Sequence, residues 1–444
     1  MEDKISKIIS LCKRRGFIFP SSEIYGGFGG VYDFGPLGLG LKKNIKESWQ
    51  KDMEEVGGIV GFDSAVLANP KVWEASGHLS AGFSDELREC KKCHKRFRSD
   101  EIENDKCSEC GGKLTKPKKF NLMLKTFIGP VEDDKAVAYL RPETCQSIFI
   151  NFSNILNSQR LKIPFGVIQI GKSFRNEINP KNFIFRIREF EQMEMEWFCH
   201  PSEAEKWFEF WLDKRLNWYY NLGVKKESLR TVEAPEKERA HYAQKQVDIQ
   251  YRFPSGWKEI EGIHNRGDWD LSNHSKYSGQ ELSCLDESLP SAQKEKYFPY
   301  VIETSVGVER VLFAFLSEFY QEVEGGRTET TKSVKEVETL LKLPFSLAPV
   351  KIAVFPLVKN KPELVEKAKE VYRLLKSNFS CLYDEVGSIG RRYRRADEIG
   401  VPWAVTIDFE TLEKEDVTIR NRDTMKQERV KIKDLGGYFN QNLR

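Results

Sequence analysis

No stretch of the 444 residues approaches the ~18 consecutive apolar residues that span a bilayer. The opening residues, MEDKISKIISLCKRRGFIFP, also lack the continuous apolar core of an export signal, so a cytoplasmic protein is expected. An excess of one charge is missing as well: 70 Lys and Arg stand against 67 Asp and Glu, a net charge of +3. Contact with a polyanion must then be local, in patches, rather than spread over the chain. Cysteine pairs suited to a disulfide framework are absent too. Of nine cysteines, Cys12, Cys145, Cys199, Cys284 and Cys381 are scattered without pairing spacing, and the other four crowd into one short segment.

What is present begins with that segment, ECKKCHKRFRSDEIENDKCSECGG. Cys90 and Cys93 are two residues apart, as are Cys107 and Cys110, with 13 residues between the pairs. Two CxxC turns can each present two thiolates to one tetrahedral Zn²⁺, and four thiolates leave no open coordination position. A structural zinc is expected, one that organises a loop and performs no chemistry.

The stretch GVIQIGKSFRNE, Gly166 to Glu177, matches the G-x-x-x-x-G-K-[ST] pattern of phosphate-cradling loops. Its context contradicts a P-loop. The variable residues Val167, Ile168, Gln169 and Ile170 favour a strand, and Asn179-Pro180 stops any helix that would follow. As a strand it would send Arg175 and Glu177 the same way, a guanidinium for phosphate beside a carboxylate that accepts from an amino group. Phe190, Gln192, Glu194 and Glu196 in REFEQMEMEWF would likewise share one face. A face of carboxylates without matching cations needs a reason.

The remainder divides by pattern. Glycines in YGGFGGVYDFGPLGLGL precede a helix through Leu41, Ile45 and Trp49, but not in the order of a dinucleotide fingerprint, and read as turns. From about 120 to 200, FNLMLKTFIG, AVAYLRPET, FGVIQIGKSF and NFIFRIREFEQMEMEWF read as strands of one antiparallel sheet. A helix over 202–222 carries Trp207, Phe208, Trp211, Leu212 and Tyr219; RNA stacking is conceivable, but at helical spacing these rings read as core. Gln321 to Leu343 reads as a linker or solvated helix, and VKIAVFPL opens an independent α/β unit of about 100 residues. Its basic loop, Arg391, Arg392, Tyr393, Arg394 and Arg395, suits single-stranded RNA, against the plain alternative of a solvated loop.

With these motifs in place a resemblance emerges. FRNE followed by FRIREFEQMEMEWF resembles motif 2 of the class II aminoacyl-tRNA synthetases, IETSVGVERVLFAFL resembles motif 3, and GPLGLGLKKNIKESW resembles the dimer-forming motif 1. RPETCQSIFINF, WKEIEGIHNRGDWDL and GSIGRRYRRADEIGVPWAVTIDFETLE extend the likeness, from Arg14 to Phe439, to the dimeric, eukaryote-like glycyl-tRNA synthetases. Ser305, where motif 3 usually has glycine, agrees with that family; Cys145 and Ser147 depart from its usual alanine and glycine.

The resemblance implies an α+β fold: a class II catalytic domain over 1–325 on an antiparallel sheet, with a zinc-binding insert at 89–118 and a helical insert at 202–245. A linker at 326–347 and an anticodon-binding domain at 348–444 complete it. It implies a homodimer that uses ATP with Mg²⁺ to charge tRNA(Gly) with glycine. The implied catalytic residues are Arg175, Glu177 and Arg310. The implied ATP contacts are those three with Asn176, Phe185, Arg186, Arg188, Glu189, Phe190, Glu259, Ile260 and Gly307, with Glu259 on Mg²⁺. The implied glycine contacts are Glu143, Glu194, Glu303, Ser305, Phe190 and Gln192, with Arg98 on the substrate carboxylate. Synthetases for proline, threonine or histidine share this architecture, but the acidic REFEQMEME strand and Ser305 speak against them. A non-catalytic synthetase-like factor could lose the ATP residues, and here Arg175, Glu177, Phe190 and Arg310 are all present.

Overall fold

A long apolar strand can be covered on both sides only if layers flank its sheet, and the ten to twelve residues of the longest strands need such layers. The computed structural model describes residues 2–80, 83–102, 105–180, 182–286, 295–324, 327 and 337–442. Its main sheet has seven strands: β1 (Ile59–Gly61), β2 (Phe165–Phe174), β3 (Glu189–Cys199), β4 (Leu229–Glu233), β5 (Lys245–Phe253), β6 (Gly256–Gly267) and β7 (Tyr300–Gly307). Their spatial order is β4-β5-β6-β7-β3-β2-β1, antiparallel except where β1 runs parallel to β2.

Alternation along β3 assigns its two faces. Met193, Met195 and Trp197 join a core with Leu41, Ile45 and Trp49 of helix α2 (Pro36–Glu54), Phe208 and Trp211 of helix α3 (Ala204–Asn221), and Leu312 and Phe315 of helix α4 (Val308–Phe319). Helix α1 (Glu2–Arg15) adds Ile8 and Leu11 to the same core. The opposite face carries Gln192, Glu194, Glu196 and Phe198, and here Phe198 packs with Phe149, Phe152, Phe165 and Leu271. The rings on α3 are core, as their spacing indicated: Phe208, Trp211 and Tyr219 are buried.

Four expectations need correction. The β-rich runs from 120 to 200 do not share one sheet. Only the last two form the β2–β3 hairpin, while Lys118–Asn121 joins Ser84–Glu89 and Arg96–Arg98, and Leu124–Phe127 joins Val137–Leu140 and Leu67–Ala68. Four-residue strands with half-exposed sides suit small satellite sheets. Strand β2 ends at Phe174, so Arg175 and Glu177 lie in the following loop and owe their positions to backbone bonds: Arg175 N–H to Arg188 C=O at 2.9 Å and Asn176 N–H to Leu122 C=O at 2.8 Å. Gln321–Leu343 is no helix where it is described. Tyr320–Val323 pairs antiparallel with Glu338–Leu341, and Leu341 and Leu343 are buried in the main core. The stretch 202–245, expected as a helical insert, supplies α3, packed on the main sheet, and β4, its edge strand.

The C-terminal unit comprises β8 (Ile352–Pro356), α5 (Pro362–Lys376), β9 (Cys381–Tyr383), α6 (Ile389–Glu398), β10 (Trp403–Ile407), β11 (Asp416–Asn421) and β12 (Gln427–Lys431), in sheet order β9-β8-β10-β11-β12. One face has a core of its own around Val354, Val371 and Phe439. It is not independent, however. Ala353, Phe355 and Ala404 on the other face are continuous with the main core through Leu343 and Leu347, because alternation makes the strands apolar on both sides.

Candidate active site

The ends of β2, β3, β6 and β7 and the start of α4 converge on one cleft. Arg175, Glu177, Phe185, Arg186, Phe190, Gln192, Glu259, Ile260, Ser305, Gly307 and Arg310 line it. Gly307 is the N-cap of α4, whose unpaired N–H groups and positive dipole end favour anionic ligands there. The Arg310 guanidinium lies 4.8 Å over the Phe185 ring and 3.1 Å from Glu259 Oε1. Arg175 sits 5.5 Å from the centroids of both Phe83 and Phe190, anchored by its Nε–H donating to Pro142 C=O at 3.1 Å. Glu177 Oε2 is buried without a hydrogen-bond partner, which fits an acceptor awaiting a donor from a ligand.

Three of the residues expected at ATP do not line the cleft. Arg188 donates to Glu177 C=O at 2.9 Å and to Gly29 C=O at 2.5 Å, tying the glycine-rich turn to the loop after β2. Glu189 pairs with Lys172 at 2.7 Å, and Asn176 contributes its backbone to the loop. These are supports, set by the side of the chain on which each residue emerges.

Two residues along β3 from Gln192, behind the cleft, Glu194 belongs to a buried cluster of carboxylates with Glu303 and Glu143. The sheet register places Glu194 opposite Ser305, and Glu303 between Glu196 and His264. Glu194 accepts from Thr144 N–H at 2.8 Å, Thr144 Oγ1, Ser305 Oγ at 2.6 Å and Gln192 Nε2 at 3.0 Å. Burial, together with the neighbouring Glu303 and Glu143 charges, pushes its carboxyl up to about 7. Glu303 is also buried, yet Arg266 and then His264 outweigh that cost and hold it below the ordinary carboxylate range. Arg266 binds Glu303 and grips Asp270 at 2.6 and 3.0 Å, with the Tyr242 ring 3.6 Å from its guanidinium. Glu143 faces His78 at 3.3 Å and accepts from Cys145 Sγ at 3.0 Å; against the cost of burial, His78 and Arg266 hold it well below the usual range.

Arg98, expected at the substrate carboxylate, rests against two aspartates in this unliganded structure. Its guanidinium already pairs with Asp85 at 2.6 Å and Asp100 at 2.9 Å, and it does not line the cleft. Conversely Thr144, His264, Arg266 and Asp270 were missed. A legible signal existed for two of them: His264 and Arg266 stand two residues apart on β6, so alternation sends them to one face, and both are buried.

The four clustered cysteines meet. Their sulfurs lie within 4.8 Å of one another, with Cys90–Cys110 at 3.5 Å and Cys93–Cys107 at 3.7 Å. A tetrahedron of thiolates on zinc has sulfurs about 3.8 Å apart, so Cys90, Cys93, Cys107 and Cys110 fit that ion.

The C-terminal arginines form a helix, α6, where a loop was expected. Arg392 is buried and donates to Pro356 C=O and Leu357 C=O, Tyr393 Oη bonds Thr406 Oγ1 at 2.6 Å, and Arg395 holds Asp384. Arg392 and Tyr393 thus turn inward, while Arg391 and Arg395, one helical turn apart, share the outer face, where Arg391 is exposed.

Comparison with known proteins bears on both halves. A family described as the tRNA synthetase class II core domain (G, H, P, S and T) matches residues 130–319, and an anticodon binding domain family matches 351–442. Over its full length the chain is 49% identical to the glycine–tRNA ligase of Streptomyces coelicolor, covering 99% of each chain. The chain belongs to the glycine–tRNA ligases. Others of the family agree: that of Alkaliphilus oremlandii is 46% identical, covering 100% of this chain and 99% of its own, and that of Borreliella burgdorferi is 50% identical, covering 98% and 97%. The α+β fold expected from the resemblance is that of a class II core with a C-terminal anticodon-binding domain. In this glycine–tRNA ligase the core match encloses Arg175, Glu194, Arg266 and Arg310, and the anticodon-domain match encloses α6. Among the described residues no helix is long and apolar enough to cross a membrane.

Proposed function

We propose that the chain activates glycine with ATP to glycyl-adenylate and transfers glycine to the 3′ end of tRNA(Gly). The observation that carries this reading is one strand face, on which Phe190 and Gln192 line an arginine-rich cleft and Glu194 lies in a buried carboxylate cluster just beyond. Arginines, aromatic rings and a helix N-terminus suit a nucleoside triphosphate. Buried carboxylates suit a small ammonium ion, and Ser305 with Gln192 closes the space around it.

In the first step a glycine carboxylate oxygen attacks the α-phosphorus in line and pyrophosphate leaves. Arg175 holds the α-phosphate and stabilises its developing charge, Phe190 stacks the adenine, Glu177 accepts from its amino group, and Arg310 clamps the far phosphates. Glu259, nearly half exposed at the cleft, is a hard oxygen ligand suited to Mg²⁺, which when bound neutralises phosphate charge. In the second step the terminal ribose hydroxyl of the tRNA attacks the adenylate carbonyl and AMP leaves. Glu194, Glu303 and Ser305 hold the glycine ammonium throughout, while Glu143 tightens the wall through Cys145 and Gln146.

Residues 1–325 form the catalytic unit, 326–347 the linker and 348–444 the anticodon unit, with Arg391 the best placed of the basic cluster to meet RNA. The four cysteines hold a structural zinc. A homodimer is supported by the apolar side chains flanking the start of α2: Ile24, Tyr25, Phe28 and Leu39 are exposed. Nine thiols outside any disulfide agree with a cytoplasmic setting. Amino-acid-dependent exchange of labelled pyrophosphate into ATP tests the activity. Exchange with glycine alone is expected; none with any amino acid would sink the reading.

A further inference from the structure

The mechanism above leaves one buried acid without a task. Glu196 is fully buried, and neither carboxylate oxygen has a hydrogen-bond partner. It stands directly across the sheet from Glu303, and one oxygen of each lies with Cys145 Sγ inside a 4.8 Å cluster. The groups facing it are Glu194 on its own strand, Glu303 on β7, Arg266 on β6, Cys145 on the helix after Thr144 and Asp270 on the helix after Asp268. The one fixed cation among them, Arg266, is already taken by Glu303 and Asp270. Like charges directly opposite on a sheet repel, and an ion with no partner in a dry interior is expensive, so one of the two glutamates must be neutral. Glu303 has Arg266 and His264; Glu196 has neither, and burial followed by the Glu303 charge pushes it well above the ordinary range.

We propose that Glu196 is a positioning residue of the glycine pocket that works as an uncharged acid. It fills the space behind Glu303, keeps that carboxylate turned onto Arg266, and leaves Glu194, bonded only to neutral donors, to supply the charge that Arg266 does not offset when the ammonium binds. A second full charge at Glu196 would draw Arg266 off Glu303 and give the pocket more negative charge than one ammonium matches. The inference rests on the glycine-pocket reading.

Three forms of the full-length protein test it: wild type, Glu196→Gln and Glu196→Leu. Glutamine reproduces the shape and polarity of a neutral acid. Its glycine KM and kcat in pyrophosphate exchange should stay within about threefold of wild type, with an unchanged pH profile. At pH 8.5, where Glu194 is ionised, the infrared carbonyl band of a buried protonated carboxyl should be present in wild type and lost from the difference spectrum of Glu196→Gln. Leucine replaces the planar carboxyl beside Glu303 with a branched alkyl group of another shape, and Glu196→Leu should raise glycine KM by about tenfold or more while ATP KM holds. A tenfold rise in glycine KM or an altered pH profile in Glu196→Gln would mean a charged Glu196 and overturn the proposal. Wild-type glycine KM in Glu196→Leu would overturn it too, leaving a mere space-filler. If Glu196→Leu does not fold, the infrared band and Glu196→Gln decide. Absence of glycine-dependent exchange in wild type would instead count against the function itself.

Discussion

Glycine affinity should fall as pH drops below about 7, because Glu194 must be ionised to meet an ammonium and its carboxyl is pushed up to about 7 in the unliganded pocket. Glu194 is 1% exposed, so bulk solvent cannot screen the effect. Between pH 7.5 and 6 its ionised fraction drops from roughly three quarters to roughly one tenth, an eightfold or so loss of affinity that approaches tenfold per unit further down. Equilibrium dialysis of labelled glycine across this range reads the slope. Calorimetry in two buffers of different ionisation heat counts the proton released per glycine bound. Glu194→Gln should bind glycine more weakly, by about 2–5 kcal/mol for a broken buried charge pair, and with no slope. The fold itself responds with the opposite sign. Its Glu194 keeps a proton to higher pH than the unfolded chain does, so the folded state binds more protons between the ordinary carboxylate range and about 7. The unliganded protein therefore loses stability as pH rises through that window. A glycine affinity that stays flat from pH 6 to 8 in wild type would refute the assignment of Glu194.

Other outcomes follow from separate parts of the molecule. Arg215 is fully buried, bonded to Glu261 at 2.6 Å and to Asp52 at 3.0 Å, so Arg215→Met strands the Glu261 charge and should cost about 3–5 kcal/mol in urea unfolding. Adding Glu261→Gln to that variant should restore part of the loss. Cys93→Ser should drop zinc from about one per chain to near zero by metal analysis, since the other three thiolates cannot close the tetrahedron. In the anticodon unit, Arg391→Ala should raise tRNA KM in charging and leave pyrophosphate exchange intact. Arg392→Ala should lower thermal stability by about 1–3 kcal/mol, because the carbonyls of Pro356 and Leu357 lose their buried donor.

The elements of this fold were legible where pattern and period agree. The apolar alternation of FGVIQIGKSF and EFEQMEMEWF appears as the paired strands β2 and β3, and the ringed face of α3 is core. The CxxC pairs do bring four sulfurs together. Misreadings arose where a residue's position depends on something distant in sequence. Arg188 and Glu189, expected at ATP, lie outside the cleft, Arg188 on the carbonyls of Glu177 and Gly29 and Glu189 on Lys172. Arg392 and Tyr393 look like RNA ligands until α6 is seen to turn them inward against β8 and β10.

By itself the sequence determined the class of chemistry: a strand carrying Phe190, Gln192, Glu194 and Glu196 on one face, two arginines for phosphate and a tetrathiolate. Local rules suffice for that, since side chains alternate at every second residue of a strand and CxxC turns are self-contained. Only the tertiary structure decided how the carboxylates divide the available charge. Glu303 is held ionised by Arg266 and His264, Glu194 is poised near neutrality, and Glu196 has no cation bonded to it. That division depends on cross-strand register and burial, and β3, β6 and β7 are separated by long stretches of chain, so no local pattern encodes it.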